Sequence, residues 1–462
     1  MWNSRHFACS LLMASGTLGW GGRAGVSELA AQGINQNNAG GIRIDAEGIV
    51  RLAVENDSSG TLDRQRREAA SKQRLPADMA QPASQRLVSL VRIEQQIEDC
   101  LKESQSIPDE IFFLAGLQRI DHIFVFPEDR DLVIAGPADG FSADATGRMI
   151  GVESRRPVLR LDDLSVALRT IPVASQIGCS IDPVPERLAA LQNFIRTGKP
   201  ANAAAVEARF QKMDDLLGLQ EVRIDGVPAD SHFGLALVEA DYRMKRVSIG
   251  LENLGIKGFK SHLATLGAAG NTMQRWWFVP YYEAIQRSQD GLAFQFDGQR
   301  VQLLSQEELI DGQGNRFAAA KTRLSTQAFA AQFTEKYPEL AAKSPVFAEL
   351  QNLIDISLLA AIIHTEHLAD RIDWKMSILL DGQRFKHPTF NVPKNVASSV
   401  NYKRSGKMII GLVAGGVTIR PQDLLRHGER TPSDNPRLDS LRTETASAKR
   451  LDAQSWWWDV NH

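Results

Sequence analysis

The sequence predicts an α+β protein: a mixed α/β layer domain, then a second α+β domain in which β-hairpins surround one buried helix. Three observations predict it. Strand-like and helix-like patterns alternate between residues 83 and 255. The stretch Trp276-Trp277-Phe278-Val279-Pro280-Tyr281-Tyr282 is dense in aromatics and carries a proline, which suits a strand and not a helix interior. Residues 345–367 read as a long helix with Phe347, Leu350, Ile354, Leu358 and Ala361 on one face, and with apolar residues nearly all round from Leu353 to Ile363. That apolar run is far shorter than the roughly 20 residues of a membrane span, so it is expected to be the core of a soluble domain.

Taken in order, residues 1–31 read as an export signal: Arg5 and His6, an apolar run from Phe7 to Trp20, then small residues at Ala30-Ala31. This places the mature chain in the periplasm or outside the cell, with no transmembrane span after signal removal. Residues 32–82 are expected to be flexible, with a small hairpin around Ala46-Glu47-Gly48 and a polar, charged stretch from 55 onward. From Ser84 to Ser104, Leu87, Leu90, Val91, Ile93, Ile97 and Leu101 recur near helical spacing and predict one amphipathic helix. The apolar runs on either side of Pro127–Asp131 should pair antiparallel.

Helices are predicted at 161–168, 185–196, 202–217 and 238–250, the last with Asp241 and Lys245 at i,i+4 spacing, and strands at 178–183 and 221–226. The glycine-punctuated stretch 256–270 is the expected joint between domains 83–255 and 271–425. In the second domain, alternation in Leu292–Phe296, the Asp297-Gly298 pair and the return through Val301–Leu304 predict a hairpin with a two-residue turn. Ser344 is the expected N-cap of the core helix, with Pro345 at its first position. Met376–Leu380, 395–402 and 407–419 read as strands, and 426–462 as a disordered tail that ends near Trp456-Trp457-Trp458.

A formal charge of −2 on 462 residues gives no reason to expect nucleic acid as a partner. Beyond the signal only Cys100 and Cys179 remain, and two cysteines are compatible with one disulfide or with two thiols. The chain shows no phosphate-cradling Gly-rich loop, no nucleophile-elbow serine and no dinucleotide fingerprint, and no cofactor is expected.

Four motifs, W-W-F-V-P-Y-Y, G-C-S-I-D-P, A-D-Y-R-M-K-R and S-P-V-F-A-E-L-Q-N-L-I-D, make the chain resemble an exported bacterial family met mainly in planctomycetes and catalogued as a domain of unknown function. The resemblance covers roughly residues 108–420. It implies membership of that family and supplies no catalytic residue.

Candidate chemistry is sparse. His364 and His367 at the end of the core helix could share a face as two metal ligands, with His232 or His262 to complete a site; alternatively they offset the helix dipole while Glu366 faces solvent. Cys179 is a candidate thiol nucleophile. The pairs Asp162-Asp163 and Glu307-Glu308 read as helix-start caps. Asp355, in the most apolar helical turn, requires a basic or hydrogen-bonding partner, for which Arg275 is a candidate; an acid–base role is the other reading. Trp276, Trp277, Phe278, Tyr281 and Tyr282 form either core or a sugar- or peptide-binding strand face. Trp456, Trp457 and Trp458 are expected either to dock on the chain's own C-terminal domain or to anchor an envelope partner. The sequence thus favours an exported, non-enzymatic binding or structural, envelope-associated protein, with an exported hydrolase using His, Asp or Cys, with or without a metal, as the alternative.

Overall fold

A computed structural model describes residues 38–44, 50–56, 61–144, 146–197, 205–266, 273–398, 400–405, 407–427, 436–451 and 455–460. The export signal at 1–31 lies outside them. The predicted small hairpin is present, with Asn38–Ile44 antiparallel to Val50–Asn56, and the polar stretch after it holds a helix, Thr61–Arg74.

Two larger sheets carry the fold. The six-stranded sheet runs Ala284–Arg287, Ala293–Asp297, His122–Phe126, Asp131–Ala138, Ala83–Ser89 and Trp457–Asp459, antiparallel throughout. The eight-stranded sheet runs Arg316–Ala318, Arg300–Ile310, Met273–Tyr281, Lys407–Ile419, Ile177–Pro183, Gln220–Asp225 and Asn395–Val396, with Val400–Ser405 paired to Lys407–Ile419 off this path. Its centre is the parallel pairing of Met273–Tyr281 with Lys407–Ile419. The α+β class therefore stands. Each of these sheets draws strands from both sides of residues 256–270, so that stretch does not separate one sheet from another.

The core helix, Pro345–Thr365, is buried from Val346 to Ile363 on every side. It packs against the helices Leu161–Thr170 and His232–Ser248 and against the strand Arg300–Ile310. Its mean apolarity and not an amphipathic stripe explains this: a helix enclosed all round needs no polar face. Pro345 occupies its first turn as expected, but Ser344 makes no side-chain cap bond and its hydroxyl is buried without a partner.

Several local expectations give way to tertiary context. The stretch 84–104 is not one helix: Ala83–Ser89 is a strand between two neighbours of the six-stranded sheet, and the helix starts at Leu90, capped by the Ser89 hydroxyl accepting from Arg92 N at 3.1 Å. Met376–Leu380 is a turn, and its amides at Ile378 and Leu379 donate to Glu94 Oε1 at 2.7 and 3.0 Å.

Asp297-Gly298 is not a hairpin turn either. Ala293–Asp297 belongs to the six-stranded sheet and Arg300–Ile310 to the eight-stranded one, so the chain turns a corner between sheets there. Gly298 has φ of 105°, and a Cβ would lie 2.6 Å from Glu283 N, so only glycine fits. Alternation and an Asp-Gly pair specify a reversal but not which sheet receives the returning strand.

The described part of the predicted disordered tail is ordered. Pro436–Leu451 is a helix, and Trp457–Asp459 joins the edge of the six-stranded sheet and not the C-terminal part of the chain. Its charged composition concealed Leu438 and Trp458, both buried in a small apolar cluster with Leu87, Phe124 and Val133.

Candidate functional site

The residues singled out by sequence fall into separate places. Asp355 is fully buried and accepts from Tyr282 Oη at 2.7 Å, Ile120 N at 3.0 Å and Arg300 Nε at 3.2 Å. Its cationic partner is Arg300, not Arg275. Arg275 stands on the opposite face of its strand from the core-facing Trp276 and pairs with Glu308 at 3.3 Å. Burial pushes the Asp355 carboxyl up while Arg300 pulls it down. The group pins the corner between the sheets, because Arg300 also donates to the carbonyls of Gly298 and Phe296.

Cys179 is buried and, like Cys100, is a free thiol. Burial and the neighbouring Asp241 raise it well above an ordinary thiol, which opposes nucleophilic use. His364 is exposed in the last turn of the core helix, whereas His367 follows the helix in a left-handed conformation (φ 52°), so the two do not share a helical face. Glu366 is largely buried and pairs with Arg287 at 3.0 Å instead of facing solvent. His262 packs edge-on against Trp276 with ring centres 4.9 Å apart, and burial together with Arg323 lowers it to about 4. Glu307 and Glu308 open no helix of their own, although Glu307 Oε1 accepts from Arg323 N at 3.3 Å and Thr326 Oγ1 at 2.8 Å at the start of the helix Leu324–Glu335. They sit on a strand, where successive side chains face opposite ways, Glu307 toward Arg323 and Glu308 toward Arg316. Among the described residues no cluster of three His, Cys, Asp or Glu side chains could hold a metal ion.

His232 is bound into a buried ion network that joins three helices. It opens the helix His232–Ser248 and places Nδ1 2.8 Å from Asp163 and Nε2 3.5 Å from Glu349. Arg148 bridges Glu349 at 2.8 Å to Glu239 at 2.9 Å, and Arg160 reaches Asp162 at 3.0 Å. Asp162-Asp163 is thus more than a dipole cap. Burial alone would lower His232, but the Asp163 carboxylate beside it raises it to about 10. Burial likewise opposes the charge on Glu349, yet the His232 and Arg148 contacts bring it down to about 2. On the other side of the pair, burial pushes the Asp163 carboxyl up while His232 pulls it down. Both ring nitrogens face carboxylates, Asp163 at 2.8 Å and Glu349 at 3.5 Å, and an imidazole engaged on both sides is poorly placed to act as a base.

The aromatic strand Met273–Tyr281 divides its rings by alternation. Trp276 and Phe278 point inward and are fully buried, Trp276 donating its Nε1 to Thr326 O at 3.2 Å. Tyr282, just past the strand, is tied to Asp355. Trp277 and Tyr281 face outward, half-buried and exposed respectively, together with Val279. Directly opposed residues in paired strands share a face. Leu304, Gln302 and Gln306 on one neighbour therefore lie beside Trp277, as do Gly416 and then Ser180 on the other side. Leu304 is exposed, and Gly416 leaves the strand beside Trp277 without a side chain.

The helical hairpin formed by Pro185–Thr197 and Val206–Leu217 packs with Ile310 and Leu412, at another part of this face. Trp277, Val279 and Leu304 belong to none of the apolar clusters among the described residues. Between the two regions runs an ion chain, Arg275–Glu308–Arg316–Asp182, with contacts of 3.3, 2.8 and 2.5 Å. Burial pushes Asp182 up, but the Arg316 guanidinium more than offsets this and holds it below the usual carboxylate range. These charges close one border of a partly aromatic sheet surface.

Residues 179–262 match the model of a family described as "Protein of unknown function (DUF1598)". The match covers two neighbouring strands of the eight-stranded sheet, the helical hairpin and the helix of His232. No curated protein and no solved structure matches the chain.

Sequence reasoning missed the pairings Arg300–Asp355, Asp163–His232–Glu349 and Arg86–Asp459, whose members lie far apart in the chain. The available signal was one-sided: a charge inside an apolar pattern, as at Asp355, announces that a partner exists without naming it.

Proposed function

We propose that the protein is an exported, non-enzymatic binding protein of a planctomycete-type bacterial family, and that its ligand surface is the outward sheet face around Trp277. One observation carries this reading. A strand with alternating aromatic residues buries Trp276 and Phe278 while leaving Trp277, Val279 and Tyr281 on a face shared with Leu304 and bordered by an ion chain. An outward aromatic face that joins no apolar cluster, with the Arg275 guanidinium 5.9 Å from the centre of the Trp277 ring, is a binding feature more than a folding one. Export is supported by the N-terminal charge and apolar run.

The ligand chemistry that fits is an extended glycan. Aromatic faces stack on sugar rings, and Gln302, Gln306 and Ser180 on the same face offer donors and acceptors for hydroxyl groups. The non-enzymatic part is supported by the fate of the catalytic candidates. His232, His262, His364, His367, Cys179 and Asp355 are dispersed, and the buried ones are engaged by ion pairs, hydrogen bonds or aromatic packing, or are raised far from the thiolate.

The test is retention of the purified full chain on a panel of insoluble cell-wall and storage polysaccharides, with Trp277→Ala alongside. Retention by the wild type that falls at least tenfold in a variant of unchanged melting temperature is expected. No retention on any polysaccharide would overturn the glycan reading, and equal retention by the variant would overturn the location.

A further inference from the structure

The edge of the six-stranded sheet is closed by the chain's own last described strand. Ala83–Ser89 pairs on one side with Asp131–Ala138, and its other side is covered by the short strand Trp457–Asp459 in the register Trp457 to Val88, Trp458 to Leu87 and Asp459 to Arg86. Main-chain bonds extend this pairing at both ends: Ser89 N donates to Trp456 O at 2.8 Å and Val460 N to Gln85 O at 3.0 Å.

Three side-chain contacts give the pairing its specificity. Asp459 receives a two-pronged contact from Arg86, Nε at 2.7 Å and Nη2 at 2.8 Å. The Trp457 ring lies 4.8 Å from the centre of that guanidinium. Trp458 enters the apolar cluster of Leu87, Phe124 and Val133.

What suits this edge to a strand is that residues outside 455–460 supply its walls and its charge, Leu438 of the helix Pro436–Leu451 among the apolar ones. Arg86 is fully buried and is held by Met79 O at 3.1 Å, Ala115 O at 2.8 Å and Gln81 O at 3.1 Å, all carbonyls that precede the tail in the chain. Carbonyls orient a guanidinium but do not neutralise it, and a buried cation of this kind demands an anion. An open strand edge likewise demands a strand. Main-chain pairing, an aromatic pocket and a fixed charge together form the strand-addition mode of peptide recognition.

We propose that the Gln85–Ser89 edge is a binding groove for extended peptide segments carrying two successive aromatic residues followed by a carboxylate, and that residues 455–460 occupy it in cis. A partner presenting such a segment displaces the chain's own strand and takes the same register.

The experiment uses the full chain. A fluorescently labelled synthetic peptide of residues 455–460 is titrated into the wild type and into the full-length variant Trp458→Ala/Asp459→Asn, whose cis strand lacks its pocket residue and its anion. The expected result is binding to the variant, at least tenfold weaker binding to the wild type, and at least tenfold weaker binding of the same peptide carrying Asp459→Asn. Absence of binding to a cooperatively melting variant, equal affinity for the two peptides, or equal affinity of wild type and variant would each overturn the proposal. If the double variant does not melt cooperatively, Asp459→Asn alone serves, with a threefold difference expected on the same comparisons and its absence overturning the proposal.

Discussion

Arg300→Met is the sharpest probe of the corner between the two sheets. It removes a guanidinium that donates to Asp355 at 3.2 Å, to Asp121 at 2.8 Å, and to the carbonyls of Gly298, Ile120 and Phe296. Breaking a buried ion pair from one side costs about 3–5 kcal/mol, because the remaining charge stays buried. Asp355 keeps its bonds from Tyr282 and Ile120, and hydrogen bonds to a charged group are each worth about 1.5–3 kcal/mol, so the carboxylate is not stripped bare. A loss of about 3 kcal/mol is therefore expected in urea titration followed by tryptophan fluorescence. Adding Asp355→Asn to the variant removes the stranded charge while keeping an acceptor for Tyr282, and should restore about 1–2 kcal/mol. The sign of the pH response follows from burial, which raises the Asp355 carboxyl. Without Arg300 its pKa rises further, so the deficit should shrink as pH falls and the group takes up a proton. A loss under about 1 kcal/mol, or a double variant no more stable than the single one, would refute the assignment of Arg300 as the pin.

Leu350→Ala or Ile354→Ala in the core helix should destabilise by about 2–5 kcal/mol in the same titration, the cost of emptying a fully buried site. Trp276→Ala should cost about 3–5 kcal/mol and Trp277→Ala about 1 kcal/mol or less, since the first ring is core and the second faces outward. His232, raised from 6.5 to about 10, contributes stability that is full below pH 6.5 and is lost as pH rises toward 10. Melting temperatures measured across that window should fall for the wild type and fall less steeply for His232→Gln. Glu349, lowered from 4.5 to about 2, contributes stability above pH 4.5 that is lost as pH falls toward 2, so Glu349→Gln should flatten the acid limb. In native protein a thiol reagent should modify Cys100 before the buried Cys179, as read by peptide mapping with and without denaturant.

The parts of the fold legible in sequence are those fixed by local pattern. The antiparallel pair around Pro127–Asp131, the helices after Pro185 and Pro345, and the strands through Gly178–Pro183 and Lys407–Ile419 follow from periodicity and turn chemistry. Illegible were the choices made between sheets. Leu87 and Leu90 fit a helix by spacing, yet Ala83–Ser89 is held extended by neighbours from residues 131–138 and 457–459, contacts that no local window contains. The Asp297-Gly298 corner failed for the same reason. At the candidate site, the sequence left the rings along 276–282 as core or as a binding face; the strand makes them both, with Trp276 and Phe278 inward, because which parity turns inward depends on the elements stacked beneath.

The order of strands in the eight-stranded sheet carries a consequence for the life of the nascent chain. Lys407–Ile419 fills the middle of that sheet and is the last of its strands to be synthesised. Until it emerges, Ile177–Pro183 and Met273–Tyr281 have no strand between them, and the Arg86–Asp459 contact that closes the other sheet spans 373 positions. Contacts so distant in sequence make folding slow and leave hydrophobic strands uncovered meanwhile. A ribosome-bound chain shorter than about 420 residues should therefore stay sensitive to proteases and engage holdase chaperones.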